Sequence, residues 1–310
     1  MTGLWRAEWY RCLLRDCLHE RRLKGLSMSE PDTRPPSSNW LSDAPSARAA
    51  LAESEARFLG GLVQPSDLSV VFQPIIRLDT GKLFAYEALV RCRVPGFSPP
   101  VLFEHALAEH STGRLGRAIR EIAVPMCSGI PLFVNLHPSE LEEGWLVRPD
   151  DPIVAHDHDV YLEITETAPL THFDLCLSVL REVCSRVGAH LVVDDFGAGY
   201  SNLKHISDLE PRVVKLDRNL IEGLDRKPRQ QKLVAATVRL CFELGALVVA
   251  EGIETPDEYA AVRDCGAQCG QGYLFARPSF PLPHIDWPPR AESATRLATR
   301  PVPHRLPHAR

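Results

Sequence analysis

Residues 191–203, Leu-Val-Val-Asp-Asp-Phe-Gly-Ala-Gly-Tyr-Ser-Asn-Leu, constrain the fold more than any other stretch of the chain. Three apolar residues, two of them β-branched, predict a short buried strand. Asp194 and Asp195 stand at its C-terminal end, Gly197 and Gly199 break the pattern, and a helix is expected from about Ser201. In parallel α/β proteins the C-terminal strand ends are where site residues gather. Two adjacent aspartates repel each other unless a proton or a cation intervenes, and a hard divalent ion with oxygen ligands is the natural cation. An ordinary Asx-type turn also puts Asp and Gly together, so the decision rests on what the other strands carry. Asp195-Phe196-Gly197 is also the magnesium triplet of protein kinases, but neither a glycine-rich loop nor an HRD-type loop precedes it, which argues against that class.

Around this stretch, β-rich runs alternate with helical periodicity. Strands are expected near 70–78, 83–90, 132–136, 160–165, 213–216, 247–250 and 272–275, and helices near 101–110, 115–127, 173–187, 229–244 and 256–265. Strand-then-helix repeated over ~220 residues predicts an α/β fold with a parallel sheet, and the count suits a closed (β/α)8 TIM-type barrel, with a doubly wound open sheet as the alternative. The expected organisation is an extension and Ser/Pro-rich linker over 1–48, a barrel domain over 49–288, and a disordered Pro/Arg-rich tail over 289–310. Residues 1–25 can form an amphipathic helix with Trp5, Trp9, Leu13 and Cys17 on one face, suited to packing on the body, a partner or a membrane surface. Met28 is an alternative start that would remove it.

Charge and cysteine usage narrow the function. The net charge of −5 is uneven: residues 1–28 carry six Lys/Arg against three acids and 290–310 five Arg against one Glu, leaving a body of about −12. That argues against a DNA- or RNA-binding surface but leaves room for a small phosphate ligand held through metals. No apolar run approaches the ~18 residues of a membrane span and no secretory signal is visible. Nine scattered cysteines fit reduced thiols in a cytoplasmic protein, and Cys265 and Cys269 without a second pair are weak evidence for zinc.

The strand ends share one character. Glu87 and Arg91 lie on the second strand, Asn135 ends the next, and Glu163 is followed by Glu166. Asp194 and Asp195 come after them, then Lys215, Glu251 with Glu254 beyond, and Gln271. In a barrel these ends converge on one face, and charges gathered in a partly buried mouth require partners. Oxygen ligands for Mg²⁺ or Mn²⁺, with cationic groups for a phosphate, account for them together.

The set resembles the EAL family of cyclic-di-GMP phosphodiesterases. The matches are Gln73-Pro74-Ile75, Glu87-Ala88-Leu89-Val90-Arg91, Asn135, Glu163-Ile164-Thr165-Glu166, Asp194-Asp195-Phe196-Gly197-Ala198-Gly199-Tyr200-Ser201, Lys215-Leu216-Asp217, Ala250-Glu251-Gly252-Ile253-Glu254-Thr255 and Gln271-Gly272-Tyr273. They run in the family's order across about 66–285. The resemblance implies a (β/α)8 barrel with one antiparallel strand. It further implies hydrolysis of cyclic-di-GMP to 5′-pGpG with two Mg²⁺ or Mn²⁺ ions, and a homodimer formed near the loop after Asp195.

By that resemblance Glu87, Asn135, Glu163 and Asp194 would hold one ion, and Asp194, Asp195 and Glu251 the second. Glu251 and Lys215 would position and deprotonate the attacking water. Leu89, Arg91, Gln73 and Gln271 would meet the substrate, with Arg91 on a phosphate. Glu166 would anchor the loop after Asp195, and Glu254 would support its loop or couple to the dimer. Ala198 stands where the family usually has Thr, and Asn202 where it often has Ser, which bears on loop order rather than on metal binding. The competing class is a catalytically weak barrel acting as a cyclic-di-GMP receptor or protein-interaction module. His156-Asp157-His158-Asp159 has metal-ligand composition but precedes a strand, so a solvated turn on the opposite face is expected.

Overall fold

The computed structural model describes residues 58–143, 146, 148–165, 173–198, 203–285 and 287. The expectations for residues 1–48 and 289–310, and those for Glu166 and Asn202, fall outside the described residues. Eight strands close into a barrel in chain order: β1 Leu68–Arg77, β2 Leu83–Cys92, β3 Leu132–Asn135, β4 Val160–Thr165, β5 His190–Phe196, β6 Val213–Leu216, β7 Leu247–Ala250 and β8 Cys269–Gly270. The helices are α1 Pro99–Ala108, α2 Thr112–Met126, α3 Glu140–Glu143, α4 Phe173–Val187, α5 Leu203–Leu209, α6 Arg218–Ile221, α7 Pro228–Glu243 and α8 Pro256–Asp264.

Strand direction follows from connection length. Only Leu78 and a tight turn, Asp79-Thr80-Gly81-Lys82, separate β1 from β2, and so short a link permits only an antiparallel pair. Gly81 takes a left-handed φ of +72° at that turn. From β2 onward each connection is long enough for a crossover, and the pairs β2–β3 through β7–β8 are parallel. β1 is therefore antiparallel to both neighbours, β2 and β8.

Alternation along the strands divides the core into two layers. Phe72, Ala88, Val134, Leu162, Val193, Val214 and Val248 face the surrounding helices. Ile75, Ala85, Phe133, Tyr161, Val192, Val213, Val249 and Cys269, one from each strand, fill the barrel interior. Phe133 and Tyr161 stack there with centroids 4.3 Å apart. Past the barrel, Ser279 bridges to Phe72, and Trp287 stacks on Phe275 beside Tyr259. No helix among the described residues is long and apolar enough to cross a membrane.

The structure corrects one strand. The run expected at 272–275 is loop, and the last strand is the two-residue β8. A Cβ on Gly272 would lie 2.1 Å from the Ile253 carbonyl oxygen, so the chain passes against another backbone there. Its hydrogen bonds are cross-loop, with Ile253 N donating to Gln271 O and Leu274 N to Ile253 O. Tyr-Leu-Phe after that glycine has β composition without a ladder. The short helices α3 and α6 carry too few residues for periodicity to register.

Candidate active site

The site follows from the interior layer by strand geometry. Residues two apart on a strand share a face, so one step toward the open rim from each interior residue gives the next inward position. From Ile75, Ala85, Phe133, Tyr161, Val192, Val213, Val249 and Cys269 that step reaches Gln73, Glu87, Asn135, Glu163, Asp194, Lys215, Glu251 and Gln271. For β1, which runs the other way, the step goes backward in sequence, and Gln73 sits in register with Glu87. An apolar floor of eight side chains thus carries a polar ring of eight. Every member of that ring is a residue the sequence reading selected.

Lys215 is the electrostatic centre. Its side chain is 1% exposed, and Nζ lies 2.6 Å from Glu163 Oε1, 2.7 Å from Glu251 Oε1, 3.1 Å from Asp194 Oδ1 and 3.5 Å from Glu87 Oε2. Desolvation would lower the lysine pKa, but Asp194, Glu163, Glu251 and Glu87 together hold it well above its ordinary value. One ammonium cannot neutralise four carboxylates. Burial, then the charge of Glu87, pushes Glu163 well above the usual range. Burial likewise raises Glu251 to about 8, against the pull of Lys215.

Asp195 joins by a break in the ladder. Successive strand residues point to opposite faces, so a regular strand would turn Asp195 away from Asp194. Its φ of +56° and the register shift between Val193 and Phe196 re-aim it. One oxygen from each of Asp194, Asp195 and Glu251 lies within 4.8 Å of the others. Burial and the neighbouring Asp194 raise Asp195 to about 6. Oxygen-only donors at this spacing suit a hard divalent cation. Among the described residues, Glu163 Oε2 and Gln271 Oε1 are buried without a hydrogen-bond partner, as expected of groups whose partner is an ion or a ligand.

The amides fill the flank. Gln271 Nε2 donates to Glu87 Oε2 at 2.6 Å and to Gln73 Oε1 at 3.1 Å, and Gln73 Nε2 donates to Ala276 O. Asn135 is exposed, with Nδ2 3.4 Å from Glu87 Oε1. Leu89 and Arg91 continue the inward face of β2 beyond Glu87 toward the rim. Arg91 Nη1 donates to its own strand at Val90 O, 2.8 Å away. Glu254 lies outside the ring, in an ion pair of 3.2 Å with Arg218.

Two features escaped the sequence reading. Glu258 accepts backbone hydrogen bonds from Gly223, Glu254 and Thr255, tying the loops after β6 and β7 together. Against its desolvation, those bonds hold its pKa below the ordinary value. The signal was present: Thr255-x-x-Glu258 is a capping box at the start of α8. The second is a buried cluster of Arg120, Glu140 and Asp151, whose members are too far apart in sequence for spacing to reveal. The run His156–Asp159 is a turn below the floor: Asp157 accepts from Gly129 N and Ser128 Oγ, and His156 Nε2 contacts Ile130 O. The His156 side chain is only 1% exposed, so that part of the turn is packed rather than solvated.

Comparison with known proteins gives the family and the fold. The family model described as "EAL domain" matches residues 59–278. The cyclic di-GMP phosphodiesterase PA2567 of Pseudomonas aeruginosa is 34% identical over 233 residues, which is 70% of this chain and 39% of that protein. The cyclic di-GMP phosphodiesterase RocR of the same organism is 30% identical over 226 residues, 68% of this chain and 57% of that protein. This chain therefore spans well under two thirds of either relative's length. Among solved structures, the manganese/cy-diGMP complex of Klebsiella pneumoniae BlrP1 aligns with a TM-score of 0.60 at 29% identity, covering 76% of this chain and 66% of that one.

Proposed function

The chain belongs to the EAL domain family, and on that premise we propose that it is a metal-dependent phosphodiesterase that opens cyclic-di-GMP to 5′-pGpG. The observation that carries the reading is the complete polar ring on the barrel floor, with the buried Lys215 in contact with Glu163, Asp194 and Glu251. Two relatives bear the name cyclic di-GMP phosphodiesterase, and BlrP1 was solved with manganese and the dinucleotide.

Glu87, Asn135, Glu163 and Asp194 would hold one divalent ion, and Asp194, Asp195 and Glu251 the other, either Mg²⁺ or Mn²⁺. When bound, such ions supply positive charge beside the phosphodiester and acidify water. Glu251 takes the proton of the attacking water, and Lys215 at 2.7 Å steadies the carboxylate through that change. Gln271, itself held by Gln73, orients the carboxylate of Glu87. Arg91 exchanges its bond to Val90 O for a substrate phosphate, and Leu89 lines the approach. The water oxygen bonds to phosphorus, the ribose 3′ oxygen leaves, and one of the two phosphodiesters is cut.

We further assign the catalytic unit to residues 49–288, the linker to the residues before it, and a homodimer to the face near the loop after Asp195. The described cysteines are free thiols, which supports a cytoplasmic location. A basic N-terminal segment with two tryptophans suits localisation or regulation. The deciding experiment incubates the full chain with cyclic-di-GMP and Mg²⁺ or Mn²⁺. Appearance of 5′-pGpG is expected; tight binding without product would make the barrel a receptor. Residues 49–289 alone should retain the rate, and light scattering at micromolar concentration should report a dimer.

A further inference from the structure

Behind the ring, the described residues hold a second buried ionic cluster. Arg120 projects from the middle of α2, with Nε 3.1 Å from Asp151 Oδ1, Nη2 2.9 Å from Asp151 Oδ2 and Nη1 2.7 Å from Glu140 Oε2. The three side chains are no more than 1% exposed. Gly116, one turn earlier on α2, faces the Glu140 carboxylate, and a Cβ there would lie 2.1 Å from its oxygen. Buried ion clusters are weak sources of stability, because apolar side chains of similar volume do as well. The reason for this one lies in what it holds.

Glu140 Oε1 accepts the backbone N–H of His137 at 3.2 Å, and Ser139 N donates to His137 Nδ1 at 3.2 Å. The turn leaving β3 is therefore folded around the Glu140 carboxylate, and it begins directly after Asn135. Asn135 is itself exposed, and among the described residues its side chain has only the 3.4 Å contact with Glu87. Its backbone must fix its aim, through the bond of Leu136 N to Glu163 O on one side and the clamped turn on the other.

We propose that Arg120, gripped by Asp151 and Glu140, is a positioning residue for Asn135: the clamp sets the turn after β3 and so directs the carboxamide into the ring. This rests on the reading of the ring as a divalent-cation site with Asn135 among its ligands. Glu140→Gln keeps the shape and the acceptor for His137 N but removes the charge that holds Arg120. In the full-length protein it should weaken Mn²⁺ binding, followed by electron paramagnetic resonance, by about tenfold, the usual scale for a partner behind a ligand. It should also speed hydrogen exchange at 136–140 in the metal-free protein. Val234→Ala opens a cavity under α7, a helix that packs chiefly on β7 and the 224–226 turn, and should leave both readouts unchanged. Unchanged Mn²⁺ affinity and exchange in folded Glu140→Gln would overturn the proposal, as would an equal loss of affinity in Val234→Ala. Should Glu140→Gln not fold, Arg120→Lys, which keeps the charge but not the two-pronged grip, carries the same readouts. Wild-type protein that takes up no Mn²⁺ would remove the metal reading and with it Asn135's role as a ligand. The exchange rates would then decide the clamp alone.

Discussion

Lys215 Nζ and Glu251 Oε1 lie 2.7 Å apart in the barrel mouth, an ion pair between β6 and the residue that follows β7. The contact places a carboxylate beside a cation that cannot easily lose its charge. It also makes the lysine the sole cation in contact with four carboxylates among the described residues.

Replacing that cation should destabilise the metal-free protein. Lys215→Met leaves the carboxylates uncompensated, and breaking a buried pair from one side typically costs about 3–5 kcal/mol. Because the folded lysine pKa is raised, the lysine's own titration leaves the contribution in place below the unfolded pKa of about 10.4, as far as its carboxylate partners are ionised, and removes it as pH rises through the higher folded value. Thermal melts in chelator should show a large drop for Lys215→Met at pH 7, and added Mn²⁺ should restore part of it.

Glu251→Gln should separate chemistry from binding. A lost proton acceptor lowers turnover by about 10²- to 10⁴-fold. KM should change by only a few fold if, as proposed, the group acts on water rather than on the dinucleotide. Steady-state kinetics on 5′-pGpG release gives both constants, and near-normal turnover would refute the role.

Metal uptake should be strongly pH-dependent. Burial raises Asp195 to about 6 and Glu251 to about 8, so at pH 6 the second carboxyl is mostly protonated and the first about half so. Ion binding requires the ionised forms and must expel those protons. Apparent Mn²⁺ affinity should climb from pH 6 to 8 and flatten above it. Calorimetry in two buffers of different ionisation enthalpy would count the protons released.

Glu258→Ala removes a carboxylate that accepts three backbone N–H groups. Losing a cap and leaving donors unsatisfied should cost about 1–3 kcal/mol. Because those donors lie in the loops after β6 and β7, urea unfolding should show the loss together with weaker substrate binding.

Most of the ring was readable in the sequence because period-two strands project chemistry at fixed intervals, and each of Glu87, Asn135, Glu163, Asp194, Lys215 and Glu251 sits at or just past a β-rich run, whereas Gln271 stood before the run expected as the last strand. That one strand is antiparallel came from the family resemblance, which did not say which; the turn at 79–82 carries that information for β1. β8 was misplaced because Cys269-Gly270 has no β pattern, while Tyr273-Leu274-Phe275 does. The left-handed turn at Asp195 has no signature beyond the glycine that follows it. The Arg120 cluster joins residues 20 and 31 positions apart, and only the fold brings them together.

The floor and ring have a consequence for assembly. Each strand contributes one residue to each layer, so a slip of one position in any strand would send its ring member outward into the helices and bring an outer residue in. No incomplete barrel can gather Glu87 and Glu251, which come from opposite ends of the chain. A cation that needs Asp194, Asp195 and Glu251 together would therefore favour only chains whose eight strands have closed in the correct phase.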